Sequence, residues 1–254
     1  MSISLPASCR LAWWATSWLR GQVVTDLLVD AVLDQDATHA VAGLTNAGLP
    51  GDDATDTLVV ALGRLRAAGA VGFGAALPVD GDPVGLGGPR GFNTAALEIG
   101  EAVVVSAAGP GGANVGLVPL RVGAAITWTA HAADRRQLPD VGEADRTLRA
   151  SLLETAEALA RLEVARWRPE VADRLMDLRH RPHLDAPDGV PPRCVDLAAR
   201  GLQAAEIVEL ALEDDGGAVT AYEIETRRAA LRPLERAARR ALVAACSPEV
   251  WPPA

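Results

Sequence analysis

Val71-Gly-Phe-Gly-Ala-Ala-Leu-Pro-Val79 is the stretch whose reading decides the fold. Val71, Phe73, Ala75, Leu77 and Val79 alternate with Gly72, Gly74, Ala76 and Pro78, a period of two with one apolar face and one nearly bare face. That is a strand pattern, and a face of Gly and Ala lets a second backbone, a helix or a flat ligand come unusually close. Asp80-Gly81-Asp82 reads as a hairpin turn that returns through Pro83–Gly87 as the partner strand. Phe92–Val105 reads as the next strand or pair, with Gly100 as a bend. The Gly109–Asn114 turn then leads into a hairpin of Val115–Val122 and Ala124–His131. In its second strand Ile126, Trp128 and Ala130 share one face, and Thr127, Thr129 and His131 share the other. Connections this short predict an antiparallel sheet of about five strands over residues 70–132.

Outside this stretch the apolar residues recur at helical spacing. Residues 8–20 predict a short helix in which Trp14 and Trp18 share a face and Trp13 points about a quarter-turn away. Val23–Leu44 predicts a second helix, with Asp26, Asp30 and Asp34 in one row along its outer side. Asp53 or Thr55 caps a third helix to about Ala68, with Leu58, Leu62 and Leu65 inward. From Asp140 onward the chain predicts a helix to about Trp167, a shorter one after Pro169, and one from Arg193 to Gly216-Gly217. A last helix over Ala218–Ala245 should kink or break before Pro233. No repeat or linker composition divides the chain. The expectation is an α+β fold in one compact domain over residues 1–254, with N-terminal helices (1–68), a central antiparallel sheet (69–134) and a C-terminal helical bundle (140–247).

Hydrophobic residues make up 49% of the chain and charged ones 22%, a globular composition, and a net charge of −9 repels nucleic acid and anionic membranes. All 24 basic residues are arginine. A lysine-free chain excludes Schiff-base catalysis, a phosphate-loop lysine and a lysine general base. Cys9, Cys194 and Cys246 are far apart and odd in number, so they make neither a disulfide framework nor a Cys-x-x-Cys metal site. The apolar run at residues 11–19 is too short to span a membrane, and a cytoplasmic protein with reduced thiols is expected.

Four places carry candidate chemistry. In Gly85-Leu-Gly-Gly-Pro-Arg-Gly-Phe-Asn, the backbone at Gly87 and Gly88 and the Arg90 guanidinium suit a small anion, with His131 and Thr129 as further candidates on the sheet. A strand rather than a helix is expected after this loop, which sets it apart from dinucleotide-binding loops. A carboxylate such as Glu98 or Glu101 would have to pair with His131 for acid–base work. Asp173, Asp177, His180 and His183 are spaced as metal ligands can be, although a third firm ligand is missing and the basic stretch suits a helix C-terminus. Trp13, Trp14 and Trp18 form a candidate interface or a helix-packing seam. Arg227, Arg228, Arg232, Arg236, Arg239 and Arg240 make a stripe able to meet phosphates, yet interleaved glutamates favour ion pairing instead.

These features predict a non-enzymatic cytoplasmic binding or assembly protein, homo-oligomeric and without a cofactor, acting through protein–protein contacts at the Gly/Ala sheet face and the tryptophan helix. The alternative is an enzyme or sensor that holds a small anionic ligand near Arg90 and His131. Nucleic-acid binding by the C-terminal arginine helix is the weaker alternative.

Overall fold

The computed structural model describes residues 4–107, 114–161, 183–213 and 221–251. The fold is α+β: among the described residues, seven helices accompany one six-stranded mixed sheet. Where the sequence predicts one domain, the contacts gather into two compact units. One holds Leu5–Pro139, Asp185–Pro191 and the chain from Cys246; the other holds Asp140–Leu184 and Pro192–Ala245.

The first unit runs α1 (Ala7–Leu19), α2 (Thr25–Leu33), β1 (Thr38–Ala42), β2 (Asp56–Thr57), α3 (Leu58–Ala67), β3 (Ala70–Ala76), α4 (Arg90–Ile99), β4 (Ala102–Ala107), β5 (Asn114–Val122) and β6 (Ala125–Ala133). The strand order is β2-β1-β6-β5-β4-β3. From β3 to β6 the strands form the expected antiparallel meander, while β1 adds to β6 in parallel and makes the sheet mixed.

Two segments depart from their predicted form. The helix expected over Val23–Leu44 stops at Leu33, because Asp34 turns to a φ of 50° and the chain re-enters as β1. Five residues are too few to display a period of two against the helical stripe beside them. The partner strand expected at Pro83–Gly87 is also absent, and of the strand or pair expected over Phe92–Val105 the part before Gly100 is helix while the part after it is β4. Only Val79 and Asp82 bridge at that turn, β3 pairs with β4, and residues 90–99 form α4. Phe92 and Ala96, four apart, are its buried residues, and Gly100 ends it with a φ of 80°.

The sheet's nearly bare face is filled from within the same unit. Phe92 and Ala96 of α4 pack with Ala76, Leu86, Ala102, Val104 and Val118. A Cβ on Gly116 would fall inside the Phe92 ring, and one on Gly74 inside the Arg136 guanidinium. The outer edge of β3 is closed as well. Phe73 N donates to Thr16 Oγ1 (2.9 Å) and Ala75 N donates to the Cys246 carbonyl (3.0 Å). Arg136 Nη1 donates to the Ala75 carbonyl (2.9 Å), so outward-facing backbone groups that would otherwise recruit a strand are occupied.

The second unit contains α5 (Val141–Arg161), α6 (Pro192–Glu213) and α7 (Ala221–Ala245). Asp140 Oδ1 accepts from Glu143 N (2.6 Å) and caps α5. Leu148, Leu197, Leu231, Leu234 and Ala238 are buried, and Gly201 lets α6 approach Ala238, Ala241 and Leu242 of α7. Pro233 does not break α7, which continues on both sides of it. The short helix expected after Pro169 lies outside the described residues.

Candidate functional site

The loop ending in Arg90 differs from its predicted form in the feature that mattered most: α4 begins at Arg90, immediately after it. Gly87 backs directly onto the main chain of Arg135 and Arg136, where any Cβ would collide. Gly88 N donates to Asn93 Oδ1 (3.1 Å), and Asp134 N donates to the Gly88 carbonyl (2.8 Å), which fixes the loop to the end of β6. Arg90 is exposed. The Phe92 ring lies 6.1 Å from the His131 ring, whose partial burial pushes its pKa down. Thr129, half-buried, stands two residues from His131 on the same sheet face. Phe92 thus sets α4 against the face that carries Thr129 and His131, while Gly87 and Gly88 lie against residues 134–136 just past β6. The carboxylates proposed for His131 are elsewhere: Glu98 is exposed, and Glu101 Oε1 accepts from Ser8 N (2.6 Å) at the start of α1.

A buried hydrogen-bond chain has no counterpart among the sequence candidates. Trp128 Nε1 lies 3.3 Å from His39 Nδ1, and His39 Nε2 lies 3.0 Å from Asp36 Oδ2. An indole N–H only donates, so Nδ1 is the acceptor and the neutral ring carries its proton on Nε2, directed at Asp36. Burial pushes the pKa of His39 down, more strongly than Asp36 raises it. For Asp36, burial acts upward but is outweighed by hydrogen bonds from Arg121 and His39, which hold its carboxyl below the usual range. Arg10 completes the group, with ion-pair contacts to Asp34 (3.5 Å) and Asp36 (3.6 Å).

A second buried pair ties the end of the chain to the sheet. Arg136 holds Glu249 through two bonds, Nη2 to Oε2 (2.7 Å) and Nε to Oε1 (3.1 Å), and Ser106 Oγ donates to Oε1 (3.2 Å). Burial pushes Glu249 up, but Arg136 outweighs it and the carboxyl titrates below its ordinary value. Neither buried group leaves a periodic mark in the sequence, since each joins residues far apart in the chain.

The remaining candidates divide as follows. Trp13 is fully buried, so it belongs to the core and cannot serve as a contact surface. Trp14 is half-buried, and so is Trp18, whose Nε1 donates to Thr25 Oγ1 (3.1 Å) beneath the Arg66 guanidinium. Asp173, Asp177 and His180 lie outside the described residues, and His183 is exposed. Among the described residues no group of three His, Cys, Asp or Glu could hold a metal ion. On α7, Arg227 is buried, Arg232 pairs with Glu225 and Arg239 with Glu235 (both 2.8 Å). Cys9, Cys194 and Cys246 are buried and form no disulfide, and burial pushes the Cys194 thiol up, away from the reactive thiolate. Among the described residues no helix is long and apolar enough to cross a membrane.

The architecture is thus an α+β protein of two units, a helix-covered mixed sheet and a set of helices. The family comparison divides the chain near the same point, just past Pro139. Residues 8–143 match the N-terminal domain of Rv1486c-like proteins and residues 142–243 match their C-terminal domain. The chain belongs to the Rv1486c-like family. It is 31% identical to the uncharacterized protein Rv1486c of Mycobacterium tuberculosis (strain H37Rv), over 96% of this chain and 98% of that protein. It is 27% identical to the uncharacterized protein ML1804 of Mycobacterium leprae, with the same coverage. The uncharacterized protein MAV321 of Mycobacterium avium is 29% identical over 65% of each chain. No solved structure matches.

Proposed function

We propose that the protein is a non-enzymatic binding or assembly protein that acts through protein–protein contacts, with a second copy of the chain as its partner. The Gly/Ala face and Trp13 are occupied internally, so this reading moves to a different surface, the outer half of the sheet beyond α4. Leu120 is 50% exposed and Val122 59% exposed. Their register partners on β6, Thr127 and Ala125, and the residues paired with these on β1, Ala40 and Thr38, carry no charge. An uncharged patch with exposed branched side chains on a chain of net charge −9 is the single observation that carries the reading. Val24, just before α2, Leu27 of α2 and Val59 and Val60 of α3 are also exposed. Light scattering on the full chain tests it: an oligomer is expected, reduced towards monomer in Leu120→Asp/Val122→Asp. A wild-type chain that stays monomeric at high concentration removes the reading.

One observation supports a second reading, a small anion held near Arg90. Helix α4 starts at Arg90, so its first amides and the exposed guanidinium stand together at the positive end of a helix dipole. A thermal-shift screen of phosphates, nucleotides and carboxylates on the wild type and Arg90→Ala tests it. Stabilisation lost in Arg90→Ala is expected, and a wild type that no anion stabilises ends this reading.

A further inference from the structure

We infer that the chain of contacts Asp36–His39–Trp128 is an acid-sensitive latch that holds β1 against β6. β1 is five residues long, joined to β6 by a parallel ladder and flanked at its other edge by the two-residue β2. His39 of β1 reaches Trp128 of β6 through a side-chain bond additional to that ladder. His39 is 2% exposed and Trp128 fully buried.

The bond exists in one protonation state only. Neutral His39 accepts from Trp128 at Nδ1 and donates to Asp36 from Nε2. A proton taken up from solvent must go to Nδ1, because Nε2 already carries one. Two N–H groups then face each other across the 3.3 Å now spanned by a hydrogen bond. The buried indole has no solvent to turn to, so one ring has to move and the link between β1 and β6 is lost.

The surroundings set the pH at which this happens. Asp36, in the turn before β1, favours the charged ring, while Arg10 of α1 and Arg121 of β5 oppose it, and Asp34 shares Arg10. Helix α3 also packs on β1; its buried side chains include Leu58, Leu62 and Leu65, and its Arg64 is paired with Asp56. Burial is the largest influence and keeps the ring neutral near pH 7. A histidine whose folded-state pKa is depressed contributes stability above its unfolded value of 6.5, and that stability is lost as the pH falls below it.

Thermal unfolding of the full-length protein between about pH 7.5 and about pH 5 tests the latch. In His39→Gln the amide can still accept from Trp128 and donate to Asp36, but it cannot take up a proton in this range. The wild-type Tm is expected to fall by about 2–4 °C more than that of His39→Gln, the effect of one lost hydrogen bond in a protein of this size. Equal slopes overturn the latch. His131, whose pKa burial also lowers, contributes to the same slope, so His131→Gln is expected to lessen it in part; if His131→Gln removes the whole slope, the dependence belongs to His131 and the latch is again overturned. Should His39→Gln fail to fold, the His39 ring titration followed by NMR in Trp128→Phe decides. Removing the indole donor is expected to raise the titration midpoint, and an unchanged midpoint overturns the proposal.

Discussion

The two ends of the sheet are closed by different means. At β3, a charged clamp supplements backbone and hydroxyl bonds: Arg136 grips Glu249 while also occupying the Ala75 carbonyl, and Thr16 and Cys246 satisfy the remaining outward groups. At β1, a two-residue strand and one neutral bond between histidine and tryptophan supplement a short ladder. A buried ion pair locks an edge because removing one partner strands the other charge. A neutral bond that depends on one tautomer holds only while the pH permits. The comparison teaches that the β3 edge is built for permanence and the β1 end for release.

Removing the clamp should have the largest effect. Arg136→Ala leaves the Glu249 carboxylate and the Ala75 carbonyl without their partner, and an empty seat over Gly74. A loss of about 3 kcal/mol is expected in denaturant unfolding, the lower part of the range for broken buried pairs because Glu249 retains some exposure. Thr16→Val, which strips the same edge of its hydroxyl without touching the ion pair, should cost about 1–2 kcal/mol. Glu249→Gln sharpens the contrast by pH. Stability from the depressed Glu249 carboxyl is fully present above its ordinary value of 4.5 and lost as the pH falls through the folded value. The variant should therefore be less stable than wild type above about pH 4.5, where it lacks the ion pair, and flatter below it, whereas the β1 end responds as the pH falls below 6.5. The smallest effect belongs to Leu120→Asp, on the open half of the sheet, expected to change monomer stability by less than about 0.5 kcal/mol in the same unfolding assay.

Much of the fold was legible in the sequence wherever a period ran long enough to be read. The alternation at Val71–Val79 located β3, Ile126–His131 located β6 with its faces correctly assigned, and Asp140 marked the start of α5. The β1 strand was hidden because its apolar residues also fit the helical stripe of α2, and α4 because Gly91, Asn93 and Thr94 are poor helix formers. Of the candidate site, the glycine-rich loop before Arg90 is legible, and Phe92 just beyond it meets His131. The sequence predicts a strand where α4 follows that loop. The His39 and Arg136 groups were not legible, because their partners are set by strand order and by the return of the chain end, which no local pattern encodes.

The placement of Cys246–Trp251 has a consequence for how the chain is made. These residues supply the carbonyl that meets Ala75, the carboxylate that Arg136 grips, and an indole 5.4 Å beneath the Arg20 guanidinium. The sheet unit emerges early from the ribosome, yet it cannot be sealed until every helix of the second unit has been synthesised. Until then the β3 edge lacks one of its covers and Arg136 has no counter-charge. The part of the protein that begins folding first is therefore the part that finishes last.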